Sequence, residues 1–303
     1  MNIIINQLQI YLPHLQQELA TEDFNAQLHC LTTALSQSCV SVACIHTMPG
    51  KGSGSDEWER TITLDAVKSQ HDDHTVILTD DAGLAEFCAE RQLPCCIVLD
   101  SGSRAAALPD GAYCIESLSD IDAQYLDRVY RRAKGIPWDI VETDRLLIRE
   151  ITLEDVPRLY ELYSDDSITK YMDNLYPDPE QELSYTRDYI RNIYGFYSYG
   201  MWIITLKDTG EVIGRAGLEY KEGYEGLELG FMLGVKYQHQ GYAYEACSVI
   251  LEYGREWLGT AAYRAIVHKD NAPSGHLCER LGFCLNETAA DTEEGYVEYQ
   301  ILG

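Results

Sequence analysis

The stretch with the most chemical content begins at Glu225. Leu227-Glu-Leu-Gly-Phe-Met-Leu-Gly-Val235 reads as a central strand and runs directly into Lys236-Tyr-Gln-His-Gln-Gly-Tyr-Ala243, after which a helix is predicted over Tyr244–Leu258. A strand, a tight glycine-bearing loop and a helix N-terminus together make an anion site. The unpaired backbone N–H groups of the first helical turn converge on one point, and the helix dipole favours negative charge there. Gly241 lets the backbone approach a ligand, and Ala243 keeps that face small. Taken alone, one glycine loop points to a phosphate group and no further.

The elements that must position this loop divide the chain in two. Lys134-Gly-Ile-Pro-Trp-Asp-Ile-Val-Glu-Thr143 breaks a helix and leads into a strand, with Gly135 and Pro137 as punctuation. We expect a first domain over residues 1–136 and a second over 137–303, in keeping with 303 residues being about twice an ordinary domain. In the first, helices are predicted around Ile10–Leu19, Ala26–Ser38, Ala82–Gln92 and Asp120–Lys134, and strands over Thr75–Thr79, Cys95–Leu99 and Ala112–Ile115. Strands alternating with helices imply an α/β, Rossmann-like domain with a parallel or mixed sheet. The Gly/Ser-rich run Met48–Asp56 reads as a mobile loop.

The wording of the glycine loop narrows the phosphate reading. Gln238-His-Gln-Gly241-Tyr-Ala243 resembles the Gln/Arg-x-x-Gly-x-Gly/Ala pyrophosphate loop of the GNAT acetyltransferase superfamily. The preceding Glu228–Gln238 resembles that of the Rim-type N-terminal acetyltransferases and their small-molecule relatives. Downstream, Tyr263–Asn271 reads as the next strand, and Asn271-Ala-Pro-Ser274-Gly-His-Leu-Cys278-Glu-Arg-Leu-Gly-Phe283 resembles the family's Asn-x-x-Ser/Ala … Glu-x-Leu-Gly-Phe helix and turn. Upstream, Thr143–Thr152 resembles the first strand of such domains and Leu153–Ser164 the first helix. The resemblance spans about 160 residues, in order, with three separate motifs.

The resemblance implies a GNAT fold, a strongly twisted mixed sheet flanked by helices, and transfer of an acetyl group from acetyl-CoA to a primary amine. The pyrophosphate would sit on Gln238, His239, Gln240, Gly241, Tyr242, Ala243 and Tyr244. The pantetheine arm would lie along Phe231, Met232 and Leu233 as an added strand does, with a backbone N–H near Leu233 facing the reacting carbonyl oxygen. Asn271 and Ser274 would contact the arm, although Ser274 can equally cap its own helix. Glu228 is the candidate base, or else a carboxylate that only orients a cationic substrate. Many relatives place a proton-donating tyrosine seven residues after the motif asparagine. Here that position is Cys278, so the thiol is the candidate acid, packing being the other reading. The tyrosine-rich stretch Tyr176–Tyr199 corresponds to helices over the acceptor, with Tyr194, Tyr197 and Tyr199 as candidate lining.

A weaker resemblance covers Ile77–Ile121, which is similar to the later part of the haloacid-dehalogenase (HAD) fold. It rests on the acidic pair Asp80-Asp81 after a strand and on the phrase Gly111–Asp120. That family needs an Asp-x-Asp nucleophile earlier in the chain, and residues 1–75 contain none. The pair then reads as a helix start favoured by the dipole, and the domain as non-catalytic.

Composition sets limits on partners. With 23 Lys and Arg against 49 Asp and Glu, the formal charge is −26. Residues 1–136 carry 9 basic and 19 acidic side chains and residues 137–303 carry 14 and 30, so neither part is a basic nucleic-acid platform. A cationic amine, small molecule or peptide, would be drawn to either. No apolar span long enough for a membrane helix is present. The ten cysteines lack any Cys-x-x-Cys spacing and read as reduced, buried thiols of a cytosolic protein, with no metal site. A homodimer is the expected assembly. Two other functions stay open: a non-catalytic acyl-CoA-binding regulator, and a phosphatase-like enzyme led by the first domain.

Overall fold

The computed structural model describes residues 3–12, 22–44, 73–99, 109, 112–286 and 295–302. The chain forms two compact units, Met1–Ile136 and Pro137–Gly303.

In the first unit five parallel strands are ordered β2-β1-β3-β4-β5: β1 (Gln7–Tyr11), β2 (Ser41–Cys44), β3 (Thr75–Thr79), β4 (Cys95–Val98) and β5 (Tyr113–Ile115). Helices α1 (Glu22–Gln37), α2 (Ala82–Glu90) and α3 (Ala123–Ala133) connect or follow them. The expected helix at Ile10–Leu19 is corrected at its start: Ile10 and Tyr11 finish β1. Leu8, Gln9 and Ile10 are all buried, because β1 lies inside the sheet between β2 and β3, and a short run buried throughout has no period to set it apart from a helix. Met48–Asp56 lies outside the described residues. Asp81 caps α2, its carboxylate accepting the Leu84 N–H at 2.7 Å. Asp127 on α3 is fully buried and accepts the Ile4 N–H at 2.7 Å and the Arg131 Nε–H at 2.7 Å, tying the start of the chain to the last helix.

The second unit is an eight-stranded mixed sheet ordered β12-β13-β11-β10-β9-β8-β7-β6. In chain order these are β6 (Asp139–Glu142), β7 (Leu146–Arg149), β8 (Met201–Leu206), β9 (Val212–Tyr220), β10 (Leu227–Leu233), β11 (Tyr263–His268), β12 (Cys284–Leu285) and β13 (Tyr296–Ile301). All neighbours are antiparallel except β10 and β11. Helices α4 (Val156–Tyr163), α5 (Asp166–Thr169) and α6 (Pro179–Tyr189) come before β8, α7 (Tyr242–Trp257) joins β10 to β11, and α8 (Ala272–Arg280) follows β11. A π-helical turn, Ile190–Tyr194, continues α6.

Side chains alternate along the strands and sort the two faces. On one, Trp202, Leu218 and Tyr263 are buried, and the Tyr263 hydroxyl donates to the Leu251 carbonyl of α7 at 2.9 Å. α7 supplies Ala246, Cys247, Ile250, Leu251 and Gly254 to this face, the three-and-four spacing of a buried stripe. On the other, Arg149 forks onto Asp155 at 2.7 and 2.8 Å, pinning the strand–helix junction from β7 to α4.

Candidate functional site

The glycine loop is built as a cradle. A short 3-10 turn, Val235–Tyr237, follows β10, and His239 (φ 60°) and Gly241 (φ 83°) both take the left-handed conformation. Two such residues so close fold the loop back on itself, which only glycine does without strain. Gly241 is the N-cap of the 16-residue α7, and no side chain caps the helix. The N–H groups of Tyr242, Ala243 and Tyr244 therefore point outward at the positive end of the dipole. Gln238 and Gln240 brace the loop from within: the Gln238 amide donates to the Leu233 carbonyl at 3.0 Å and the Gln240 amide to the Lys236 carbonyl at 2.8 Å.

Two arginines flank this cradle, and sequence reasoning singled out neither. Arg145, at the foot of β7, donates through Nε to Glu245 at 2.7 Å and through Nη1 to the Gln240 carbonyl at 3.1 Å, with its guanidinium 4.4 Å from the Tyr242 ring centroid. Thr143 donates to the other Glu245 oxygen. Partial burial works to raise the Glu245 carboxyl, and the hydrogen bonds from Thr143 and Arg145 outweigh it, holding it below its ordinary value. Arg280, on α8, lies 4.4 Å over the Tyr244 ring. In a chain of charge −26, two cations meet at one helix N-terminus, Arg145 balanced there by Glu245 of the first turn. Their partners lie about a hundred residues away or on another helix, so no local pattern announces them.

Beside the cradle the sheet opens. β10 and β11 pair only at Leu227↔Tyr263 and Glu228↔Arg264, after which they part. Gly234 N–H donates to Ile213 on the β9 side and Leu227 N–H to Ala262 on the β11 side. Amides alternate along a strand; that of Leu229 is used in the last β10–β11 pairing, at Glu228↔Arg264, and those of Phe231 and Leu233 face the opening. Phe231 and Leu233, expected along the cofactor arm, lie on this unpaired edge. Met232 is a correction: its backbone is spent on β9, opposite Arg215, and its side chain is buried.

Asn271 and Ser274 sit at the start of α8, on the far side of the opening. Asn271 is the cap: its side chain accepts the Ser274 N–H at 3.4 Å, so the asparagine takes the role the sequence offered to the serine hydroxyl. Cys278 is a second correction. It is fully buried in the core, and burial pushes its thiol up to about 12. A thiol with no exposed surface and so high an affinity for its proton is packing, not a donor to a leaving group.

Glu228 stands between cations, 3.0 Å from Arg264 Nε and 3.8 Å from Lys221 Nζ. It lies five residues from Leu233 on one strand, about 16 Å, too far for one reacting centre to use both. The amide of Phe231, about 10 Å away along the strand, fits Glu228 better. In register with Glu228 on β9 is Glu219. Glu219 accepts from the Tyr189 hydroxyl at 3.1 Å and from Lys221 at 3.0 Å, and it borders a cleft of about 360 Å³. Tyr197 and Tyr199 line that cleft with Tyr185, Tyr189 and Tyr220. Tyr194 does not; it is fully buried and donates to the Met201 carbonyl.

Comparison with known proteins agrees with the order of these parts. The acetyltransferase (GNAT) domain family matches residues 145–284. An uncharacterized N-acetyltransferase of Bacillus subtilis (strain 168), YoaA, is 31% identical over 147 residues, 48% of this chain and 82% of the relative. Another, p20 of Bacillus licheniformis, is 34% identical over 145 residues, 46% and 80% of the two chains. The chain belongs to the GNAT acetyltransferase family. A crystal structure of an acetyltransferase from Agrobacterium tumefaciens str. C58 is 23% identical, with a TM-score of 0.46 over 54% of this chain and 94% of that one.

The site of this GNAT domain holds its parts without a metal cluster: among the described residues no group of three or more His, Cys, Asp and Glu side chains is placed to bind an ion. Nor is any described helix long and apolar enough to cross a membrane. The nine cysteines whose side chains are described are all free. Four of them are buried, but Cys30, Cys39, Cys114 and Cys284 are exposed, which corrects the expectation of a buried set.

Proposed function

We propose that this protein transfers an acetyl group from acetyl-CoA to a primary amine. The observation that carries the reading is the parting of β10 and β11 after Glu228 and Arg264, directly beside an uncapped helix N-terminus flanked by Arg145 and Arg280. An uncapped dipole end suits the pyrophosphate, and an unpaired strand edge suits the amide-bearing arm. Both lead from one ligand to one opening.

Acetyl-CoA supplies a thioester; a nitrogen–carbon bond forms as the carbon–sulfur bond breaks. The protein's part is to bind, orient and move protons. The amide of Phe231 faces the position of the carbonyl oxygen, where one donor is worth about 3 kcal/mol. Glu228 takes the proton the ammonium must lose before it attacks. With Cys278 sealed in the core, the thiolate takes its proton from solvent. Asn271 and Ser274 form the opposite wall, and the Gln238–Tyr244 loop holds the phosphates. Residues 1–136 supply no catalytic group in this reading, which the use of Asp81 as a helix cap supports.

The test is calorimetric titration of acetyl-CoA and CoA into the wild type and a Gly241→Arg variant. Binding to the wild type that the variant loses is expected. A wild type that binds neither ligand would overturn the reading.

A further inference from the structure

The tyrosine cleft on the α6 side of the sheet is shaped for a particular kind of acceptor. Its two walls are aromatic. Tyr185 and Tyr189, on α6, lie with ring centroids 6.1 Å apart. Facing them, Tyr197 and Tyr220 stack at 6.0 Å with their planes 20° apart. The turn between the walls is the π-helical Ile190–Tyr194, a distortion found often where helices serve a site. Most of the surface presented inside is apolar ring, with few polar atoms among it.

The polar end of the cleft is Glu219. It stands directly opposite Glu228 in the β9–β10 register, and like charges so placed repel across about 5 Å. Lys221 relieves the repulsion: its ammonium sits 3.0 Å from Glu219 and 3.8 Å from Glu228. Its side chain is 41% exposed, a flexible tether ending in a primary ammonium at the mouth of the carboxylate pair. Partial burial works to lower Lys221, and its contacts with the two glutamates outweigh that, so the group stays charged. The protein thus carries, on its own chain, a primary ammonium at the point where a substrate ammonium would meet Glu228.

We propose that this cleft is the acceptor site, and that its occupant is a small primary amine with a flat apolar body, whose ammonium displaces Lys221 from between Glu219 and Glu228. The rings of Tyr197 and Tyr220 take one face of that body and those of Tyr185 and Tyr189 the other, a setting that rewards both cation and ring. A volume of about 360 Å³ is at the small end of ligand sites and suits a compact molecule. A long polycation would leave the tyrosine walls unused. The proposal rests on the acetyltransferase reading and adds to it the class of acceptor.

Lys221 makes the proposal sharply testable, because removing a competing cation must help. Steady-state thiol release at saturating acetyl-CoA is measured with phenethylamine and with putrescine, which has the ammonium but no ring. The variants are Lys221→Met, Glu219→Gln and Tyr197→Ala, and acetyl-CoA affinity is measured on each by calorimetry. Phenethylamine is expected to exceed putrescine in kcat/KM at least tenfold. Lys221→Met should lower KM for phenethylamine severalfold, while Glu219→Gln raises it about tenfold. Tyr197→Ala should raise KM for phenethylamine and leave that for putrescine unchanged. Acetyl-CoA binding with putrescine turned over as well as phenethylamine, or with neither used, would overturn the acceptor assignment alone. A rise in KM on Lys221→Met would overturn it too, by making the lysine part of the site. Absence of acetyl-CoA binding by the wild type would instead remove the acetyltransferase reading on which it stands.

Discussion

Arg145 and Glu245 are a hundred positions apart in sequence and 2.7 Å apart in space, joining the foot of β7 to the first turn of α7. The same guanidinium reaches the Gln240 carbonyl and covers Tyr242, so one ion pair fixes both flanks of the glycine loop. Glu245→Gln removes the charge that holds Arg145 and should weaken acetyl-CoA about tenfold, equivalent to about 1.4 kcal/mol, as read by calorimetry. The pH dependence has a definite sign. Thr143 and Arg145 hold the Glu245 carboxyl below its ordinary 4.5, so the pairing is complete above that value and is lost as pH falls through the depressed one. Affinity should therefore hold from neutrality down past the ordinary carboxylate value and be lost only as pH falls through the depressed one, whereas the variant should lack this fall.

Gly241→Ala tests the loop conformation without adding bulk. At φ 83° an added Cβ is strained, although the nearest atom it would meet, Arg145 Nη2, is 3.5 Å away and clears it. The expected cost is about 1–2 kcal/mol, appearing as a lower Tm where the loop keeps its conformation and as weaker acetyl-CoA binding where it relaxes.

Cys278→Ala should leave kcat within about threefold of wild type, while the cavity costs about 1–2 kcal/mol of stability. Thiol labelling of the folded protein at pH 8 should modify exposed Cys284 and spare Cys278, whose burial pushes it up to about 12. A large loss of kcat with the fold intact would restore the thiol to catalysis.

Glu228→Gln should lower kcat by about 10²–10⁴ without changing acetyl-CoA affinity. A change confined to KM for the amine would make Glu228 an orienting carboxylate instead.

Asp155→Asn breaks the fork from Arg149 and should cost about 2–3 kcal/mol at pH 7, measured by urea unfolding. Burial works to raise the Asp155 carboxyl, but Arg149 and Thr152 outweigh it and hold it below 3.8. Its contribution is present above that value and lost as pH falls through the lower one, so wild type and variant should converge only below the depressed value.

Sequence by itself determined the local devices. The run from Leu227 to Tyr244 spells strand, loop and helix start within eighteen residues, because period-two burial, a left-handed glycine and an uncapped first turn are all properties of neighbouring residues. The family, too, was legible there, since its motifs are short and contiguous. Where a local pattern was ambiguous the reading slipped: Ile10 fits a helical stripe as readily as the strand it completes.

Tertiary structure alone decided which partners meet. It set Arg145 on Glu245, placed Glu219 opposite Glu228 with Lys221 between them, and turned Met232 to β9 while Phe231 faced the opening. It also sealed Cys278 inside the core, at a position where the motif had suggested an acid. These outcomes depend on strand register and on which face of the sheet a helix covers. A shift of one residue in register would turn every side chain to the other face, and no stretch of sequence shorter than the whole domain fixes it.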